Sequence, residues 1–303
     1  MWKKVKKINE RLEKIRLDKF LNSISKFSRS EISRIISNGM VSVNEAVETK
    51  PSKILKFNDV IEMDEIPKVK DAKKLNSNYK LNIKYEDDDL MVISKDSGIS
   101  VHPGVKTNSE TLTDLLLLSR PKILNVGESS RPGIVHRLDK GTSGLMIIAK
   151  KNEILENLKT QFKERKVFKE YLTIVNGITK ESGIINAPIG RHPANRIKRT
   201  LISSGKEAHT SYEKIKNNEG LSLLKVIIKT GRTHQIRVHL SSIGHPVYGD
   251  QMYSNNYKNS KKRILLHSYR IKFFHPNKKI DIDIKDSIPE EFTKHFSTNW
   301  KDI

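Results

Sequence analysis

The sequence contains no cysteine and no long apolar run. The first absence excludes disulfides, thiol nucleophiles and cysteine-bound zinc or iron–sulfur centres. The second excludes a membrane-spanning helix, because apolar strings such as residues 115–118 are far shorter than the roughly 18–20 residues that cross a bilayer. The first residues, MWKKVKK, also lack the apolar segment of a signal peptide. We therefore expect a soluble, cytoplasmic protein without a membrane partner.

Acidic residues are scarce relative to basic ones. The 303 residues include 57 Lys plus Arg against 35 Asp plus Glu, which gives a formal net charge of +22 at pH 7. An excess of this size predicts a surface that binds a polyanion rather than a merely basic soluble surface. Arginine is much rarer than lysine, so each arginine is a candidate for a position that needs the planar, forked guanidinium.

The first part of the chain predicts a small α/β-ribbon module over residues 14–66. Apolar residues recur there at helical spacing in two stretches, and then at alternate positions typical of short strands. The preceding residues, 1–14, are charged and predict a loose segment or a fraying helix. Residues 67–78 are polar and lysine-rich, which is typical of a linker.

Residues 79–303 predict a larger second domain that consists mostly of strands. Apolar strand patterns outnumber helical ones, and they do not alternate regularly with helices as they do in a parallel βαβ fold. The sequence therefore predicts an α+β fold with a mixed, mainly antiparallel β-sheet flanked by helices and loops.

The most unusual segment is RPGIVHRLDKGTSGL, residues 131–145. A charged, glycine-containing loop leads there directly into an apolar strand, and loops on rigid strands often carry reactive side chains. Asp139 lies close in sequence to Arg137 and Lys140, which would keep it ionised and able to act as a nucleophile or a base. A surface turn with a local ion pair explains the segment equally well.

A second informative segment is TGRTHQIRVHL, residues 230–240. Arg232 and Arg237 lie five positions apart in a chain that uses few arginines, which favours bidentate ion pairing. Contact between Arg237 and Asp139 would connect this segment with the first one. The alternative is that both arginines bind phosphates or cap structure. Thr233 is expected to cap the helix that follows.

A third segment, FKEYL at residues 168–172, enters a strand. Its Tyr171 could stack on a nucleic-acid base and offer a phenol for proton transfer. Packing in the core is the alternative for a tyrosine on a strand.

The N-terminal module resembles the S4 RNA-binding domain. The resemblance rests on RLDKFL at residues 16–21, SRS at residues 28–30 and GMVSVN at residues 39–44. Basic side chains of this module can share a face opposite the apolar stripe and bind RNA phosphates, and those we predict to do so are Lys19, Arg29 and Arg34. A solvated amphipathic hairpin is the alternative interpretation.

Taken together, the three segments of the second domain resemble the RluA family of pseudouridine synthases. Residues 136–145 match the catalytic loop of the family, and residues 168–171 and 231–237 match its second and third motifs. Within the family, the segments SVHPG, IGRHP and GKEA are similar to the branch that modifies large-subunit ribosomal RNA.

The resemblance implies a role for each site residue. Asp139 would be the catalytic aspartate, Arg237 its salt-bridge partner, and Tyr171 the residue that stacks on the target base and assists removal of the C5 proton. Arg137 would fill the gap left by the flipped nucleotide. The remaining RNA contacts that we predict in this domain are His136, Arg232 and Arg191.

The resemblance also implies the reaction. The N1–C1′ bond of uridine would break and C5 would join C1′, by attack of Asp139 on C1′ or by removal of the C2′ proton. Neither route requires a cofactor or a metal. The expected partner is large-subunit rRNA or a pre-ribosomal particle, and the expected state is a monomer. The apolar residues expected to keep the detached uracil from water are Leu138, Leu145 and Ile236.

A metal-dependent hydrolase is one alternative function. Its ligands would come from Asp139 and from the histidines His136, His234, His239, His245 and His267. The separation of His234 and His239 does not suit one helical face, and no His-Glu-x-x-His motif occurs.

Two further alternatives keep the RNA partner. A non-catalytic ribosome assembly factor would need only the S4 module and the basic charge, but it has no physical reason to keep Asp139, Tyr171 and Arg237. The same chemistry on tRNA is also open, because contacts to phosphates and RNA shape carry no base code.

Overall fold

The computed structural model of the protein describes residues 2–8, 14–25, 27, 29–37, 39–64, 79–102, 110–128, 131–195, 197–254, 262–297 and 299–300. The chain divides into two compact units, Met1–Tyr79 with Thr113–Gly133, and Lys80–Leu112 with Ile134–Ile303. The predicted linker, residues 67–78, lies outside the described residues. Each helix in the described ranges is too short or too polar to span a lipid bilayer.

The first unit contains a four-stranded antiparallel sheet in the order β1-β4-β2-β3. Its strands are β1 (Trp2–Lys7), β2 (Val41–Val43), β3 (Ala46–Val47) and β4 (Val60–Asp64). The helices of the unit are α1 (Leu17–Ile24), α2 (Arg29–Ser37) and α3 (Leu112–Ser119), with a 3-10 helix at Pro121–Asn125. The first residue of α3, Leu112, is assigned to the second unit. Apolar residues of α1 and α2 pack with those of β2 and β4 in one core, because the helical stripe and the strand face are both apolar.

The prediction of a loose or helical segment over residues 1–14 is wrong for residues 2–7. These residues form β1, which pairs with β4 along most of its length. The register shifts between Trp2 and Lys4, and an extra residue of this kind breaks strict alternation. Apolar residues of the segment also recur at every third position, Trp2, Val5 and Ile8, a spacing that does not predict a strand.

The second unit is built on a nine-stranded sheet in the order β5-β6-β7-β14-β8-β13-β12-β9, with β15 paired to β14. The strands of this sheet are β5 (Asn82–Glu86), β6 (Leu90–Lys95), β7 (Ser143–Ala149), β8 (Phe168–Asn176), β9 (Ser182–Asn186), β12 (His209–Asn218), β13 (Leu221–Ile228), β14 (Leu266–Phe274) and β15 (Asp281–Lys285). Two further strands, β10 (Ile189–Arg191) and β11 (Arg199–Leu201), pair with each other in a separate two-stranded sheet. The helices are α4 (Asn152–Lys163), α5 (Gln235–Ser242) and α6 (Glu290–Thr293).

The sheet is mixed and mainly antiparallel, as predicted. In the described part of this sheet, β7 and β14 form the parallel pair, and the other named pairs are antiparallel. Strand β7 is buried along its whole length, which explains its unbroken apolar pattern. The loop that precedes β7, the strand β8 and the turn that precedes α5 come together in this unit, and they carry the three segments singled out in the sequence.

Candidate active site

A cavity in the second unit gathers residues from all three segments. It is lined by Arg137, Leu138 and Asp139 of the first, Tyr171 of the second, and residues 231–237 of the third. Leu138 and Ile236 line it as predicted, whereas Leu145 is fully buried and is not among the lining residues. The structure therefore brings together the candidate residues that the sequence left far apart.

Asp139 and Arg237 form an ion pair inside this cavity. The Nη1 atom of Arg237 donates a hydrogen bond of 3.1 Å to Oδ2 of Asp139, across 98 positions of sequence. The side chain of Arg237 is 6% exposed and that of Asp139 is 17% exposed. Asp139 is thus held in a fixed position and still faces the cavity.

A second carboxylate, that of Asp250, also holds the side chain of Arg237 in place. Its two oxygens accept hydrogen bonds of 2.7 Å from Nε and 3.0 Å from Nη2, a bidentate pair. Burial lowers the pKa of Arg237, but the hydrogen bonds and charges of Asp250 and Asp139 outweigh it and raise that pKa above its ordinary value. The guanidinium is therefore a permanent cation between two carboxylates.

Sequence reasoning missed Asp250, although the residue follows directly on a glycine that the fold requires. Gly249 has a φ of +77°, and a Cβ there would lie 1.9 Å from the carbonyl oxygen of Arg263. Asp250 is fully buried, and its Oδ1 also accepts the backbone N–H groups of Met252 and Tyr253. The available signal was an acidic residue in a tight turn, in a chain poor in acids.

The turn that precedes α5 differs from the prediction. The helix begins at Gln235, and its N-cap residue is His234, which has a left-handed φ of 60° and makes no side-chain cap. The expected cap by Thr233 is wrong, because the helix begins one residue later than such a cap requires and His234 occupies the N-cap position. The side chain of Gln235 closes the preceding turn: its Oε1 accepts hydrogen bonds of 3.0 Å from the backbone N–H of Arg232 and 2.8 Å from the hydroxyl of Thr230.

Tyr171 lies on β8 at the wall of the cavity and is 6% exposed. Burial raises the pKa of its phenol to about 12, with the charge of Asp139 acting in the same direction and the Ser268 hydroxyl opposing both. The phenol therefore keeps its proton near neutral pH. Tyr171 is suited to packing against a base and unsuited to acting as a proton acceptor.

Gly144 fixes the distance between the strands that support Tyr171. Ser268 of β14 lies opposite Tyr171 of β8 and, on its other side, opposite Gly144 of β7. At Gly144 the φ is +109°, and a Cβ would lie 2.3 Å from the carbonyl oxygen of Ser268. Only a residue without a side chain allows this approach.

Gly144→Ala is expected to lower the free energy of unfolding by about 2–5 kcal/mol, the sum of backbone strain and overpacking. Denaturant titration measures the change. Gly98→Ala is the matched control, since Gly98 has a φ of +90° but no atom of the described residues lies within 4 Å of the added Cβ, and it should cost about 1–2 kcal/mol. Equal losses in the two variants would contradict a steric role for Gly144.

The contacts of His136 differ from those expected of its predicted role, which was RNA binding. Its Nε2 accepts a hydrogen bond of 2.9 Å from the backbone N–H of Ile147, and its ring stacks on Phe162 at 4.6 Å. Burial lowers its pKa to about 3, helped by the charge of Lys169, so the ring stays neutral. The geometry argues against RNA binding by His136, whose ring anchors the loop to β7 and α4 instead.

The other predicted RNA contacts lie at separate places. Arg137 is exposed at the cavity, and Arg232 lines it while donating from Nε to the carbonyl oxygen of Glu207 at 2.9 Å. Arg191 is exposed on β10 and is not among the lining residues. In the first unit, Lys19 and Arg29 are exposed. The side chain of Arg34 lies outside the described residues.

The histidines of the hydrolase alternative do not assemble into a metal site. His239 bonds to Thr210, His245 to the backbone of Asn176, and His267 to Ser143, each in a different part of the unit. Over the described ranges, the close group of ligating side chains is Asp87, Asp89 and His275, none of which belongs to that set.

Comparison with known protein families gives two matches. The model described as RNA pseudouridylate synthase matches residues 89–242, and the S4 domain model matches residues 15–61. The first match includes Asp139, Tyr171 and Arg237, and the second includes both helices of the small module.

Individual relatives match over nearly the whole chain. An uncharacterized RNA pseudouridine synthase of Aquifex aeolicus is 41% identical over 297 residues, 94% of each chain. The ribosomal large subunit pseudouridine synthase D of Blochmanniella floridana is 38% identical over 298 residues, 91% of this chain and 92% of that protein. Other relatives with that name match at 33–37% identity.

Among solved structures, the human RNA pseudouridylate synthase domain containing 1 is similar in fold. Its TM-score is 0.59 at 25% identity, over 69% of this chain and 84% of that one. The predicted fold class is thereby confirmed.

Proposed function

The chain belongs to the RNA pseudouridylate synthase family, and on this basis we propose that it isomerises uridines of large-subunit ribosomal RNA. Enzymes of this kind are isomerases. The N1–C1′ bond breaks, C5 joins C1′, and the proton lost from C5 is matched by one gained at N1. The product has the composition of the substrate, so no group is transferred to or from another molecule.

Asp139 is the residue to which we assign the covalent chemistry. It is a carboxylate that faces the cavity and is held by Arg237 at 3.1 Å, and this ion pair is the observation that carries the proposal. Asp250 is fully buried behind Arg237, so it cannot reach a substrate. One carboxylate is enough for this reaction, whereas glycosidases use two, because uracil can leave as a delocalised anion and no water has to be activated.

The target uridine must leave its stack before it can reach Asp139. Extrusion of a nucleotide costs about a few kcal/mol, and an arginine that stacks in the vacated space offsets this cost. We assign that role to Arg137, which is exposed at the cavity. Tyr171 would pack on the flipped base through its ring, consistent with a phenol whose pKa is raised to about 12 by burial.

The ribosomal target is supported by the relatives and by the charge of the chain. The relatives cited above are named for large-subunit RNA, and the net charge of +22 suits a polyanion. We propose that the module of residues 14–66 binds RNA phosphates through Lys19 and Arg29, which are exposed, and that residues 79–303 carry out the reaction.

Mapping pseudouridines in total RNA of a strain that lacks the gene tests this function. We expect loss of modification in large-subunit rRNA, restored by the wild-type gene and not by Asp139→Asn. Loss confined to tRNA would contradict the target and leave the chemistry standing. Restoration by Asp139→Asn would contradict the enzymatic role and favour a non-catalytic assembly factor.

A further inference from the structure

His234 lies at the cavity beside Asp139 and has no part in the chemistry assigned to Asp139, Tyr171 and Arg237. Its Nε2 atom is 3.8 Å from Oδ2 of Asp139, and its side chain is 13% exposed. This distance is too long for a hydrogen bond between them. Nε2 is therefore close to the reacting carboxylate without being bonded to it.

The other side of the ring is fixed by Tyr253. The hydroxyl of Tyr253 lies 2.8 Å from Nδ1 of His234, and the two rings meet edge to face at 5.7 Å. The guanidinium of Arg237 lies over the Tyr253 ring at 5.1 Å. The imidazole is thus held by the same cluster that holds Asp139.

The hydrogen bonds of Tyr253 assign the tautomer of His234. The Tyr253 oxygen accepts the backbone N–H of Arg199 at 2.8 Å, and burial raises the pKa of Tyr253, so the phenol keeps its proton. We assign Nδ1 of His234, 2.8 Å from the hydroxyl oxygen, as the acceptor of that proton. Burial also lowers the pKa of His234, so the ring is neutral near pH 7 and its single N–H is on Nε2, the atom nearer Asp139.

The backbone at His234 is strained as well. Its φ of 60° is left-handed, a conformation that costs most non-glycine residues about 1–2 kcal/mol. Strain of this kind persists where the surrounding structure enforces it, and it concentrates at functional sites. Here it sets the imidazole at the start of α5, against the cavity.

We propose that Nε2–H of His234 donates a hydrogen bond to a carbonyl oxygen of the uracil as the N1–C1′ bond breaks. The electron pair of that bond leaves with the uracil and spreads onto its carbonyl oxygens. A fixed donor binds this developing charge more strongly than it binds neutral uridine, and so lowers the barrier. The inference rests on the proposed function of the same site and adds a catalytic residue to it.

Two amide substitutions separate this role from a structural one. Glutamine places its amide nitrogen near the position of Nε2, whereas asparagine places its side chain near Nδ1. We expect His234→Gln to keep kcat within about tenfold of wild type and His234→Asn to lose about 10²–10³-fold, each with KM within about threefold. Asparagine suits the left-handed backbone better, so His234→Asn should be the more stable variant.

The decisive result is that the more stable variant, His234→Asn, turns over more slowly than the less stable variant, His234→Gln. Denaturant titration gives the first, and tritium release from RNA with 5-tritiated uridine gives the second. A faster turnover in His234→Asn than in His234→Gln, or a wild-type kcat in His234→Asn, would overturn the proposal. His295→Asn and His295→Gln are controls at a histidine that is not among the cavity-lining residues, and both should turn over normally.

The tautomer of His234 can be measured in the protein without RNA, so this test does not depend on which RNA is the target. Long-range ¹H–¹⁵N NMR spectra of the full chain should show the proton of His234 on Nε2, and Tyr253→Phe should move the Nδ1 resonance toward that of a ring nitrogen that accepts no hydrogen bond. A proton on Nδ1 in the wild type would overturn the proposal. Absence of tritium release by the wild type from rRNA, with release from tRNA, would instead contradict the ribosomal target.

Discussion

Asp139→Asn is expected to lower the single-turnover rate of pseudouridine formation by at least about 10³-fold, with RNA affinity within about threefold of wild type. The amide has the volume of the carboxylate and can still accept a hydrogen bond from Arg237, so the cavity keeps its shape. It can neither attack C1′ nor remove the C2′ proton. Affinity should persist because it comes mainly from contacts to phosphates. Rapid-quench assays and filter binding measure the two quantities.

The matched control is Asp88→Asn, which neutralises an exposed aspartate in the turn before β6. It removes the same charge from the protein without touching the cavity. We expect wild-type turnover from it. Normal turnover in Asp139→Asn would remove this residue from the mechanism, and a large loss in both variants would point to net charge as the cause.

Arg237→Met is expected to abolish turnover and to lower the free energy of unfolding by about 3–5 kcal/mol. Removing the guanidinium leaves Asp250 as an unpaired charge in a fully buried position. Adding Asp250→Asn should restore most of the stability, since the double variant buries no unpaired charge and the amide oxygen still accepts the backbone N–H groups of Met252 and Tyr253, but it should not restore turnover. Thermal or denaturant unfolding combined with the kinetic assay separates the two effects.

Arg270→Met provides the comparison for that experiment. Arg270 also makes a bidentate pair, through Nε and Nη2 to Asp283 at 2.8 and 2.6 Å, but the two side chains are 34% and 33% exposed. Loss of an exposed pair should cost about 1 kcal/mol or less. Similar losses at Arg237 and Arg270 would show that burial of Asp250 does not matter.

The ion pair of Asp139 and Arg237 could be predicted from the sequence for two reasons. Arginine is rare in this chain, so two arginines within residues 230–240 are informative, and contact of Arg237 with Asp139 would connect the two most unusual segments. Both residues also lie in segments that resemble one family. The presence of a large sheet could also be predicted, because its buried strands carry long apolar runs.

The partners that complete the site could not be predicted. Asp250 and Tyr253 reach Arg237 and His234 through a turn whose path depends on Gly249 and on its contact with the Arg263 backbone. No periodic pattern encodes such a contact. The cap at α5 was predicted wrongly because Thr233 and His234 are adjacent in sequence, and only the packed structure determines which of them precedes the first helical residue.

The charges around Arg237 also affect which part of an RNA can approach Asp139. Asp139, Asp250 and Arg237 together carry one net negative charge, in a protein whose overall charge is +22. This group gives a phosphodiester no net attraction, whereas Arg137 at the exposed edge of the cavity attracts it. An uncharged nucleobase is indifferent to both charges. We therefore expect the RNA backbone to stay at the edge beside Arg137 and the nucleobase to be the part that reaches Asp139.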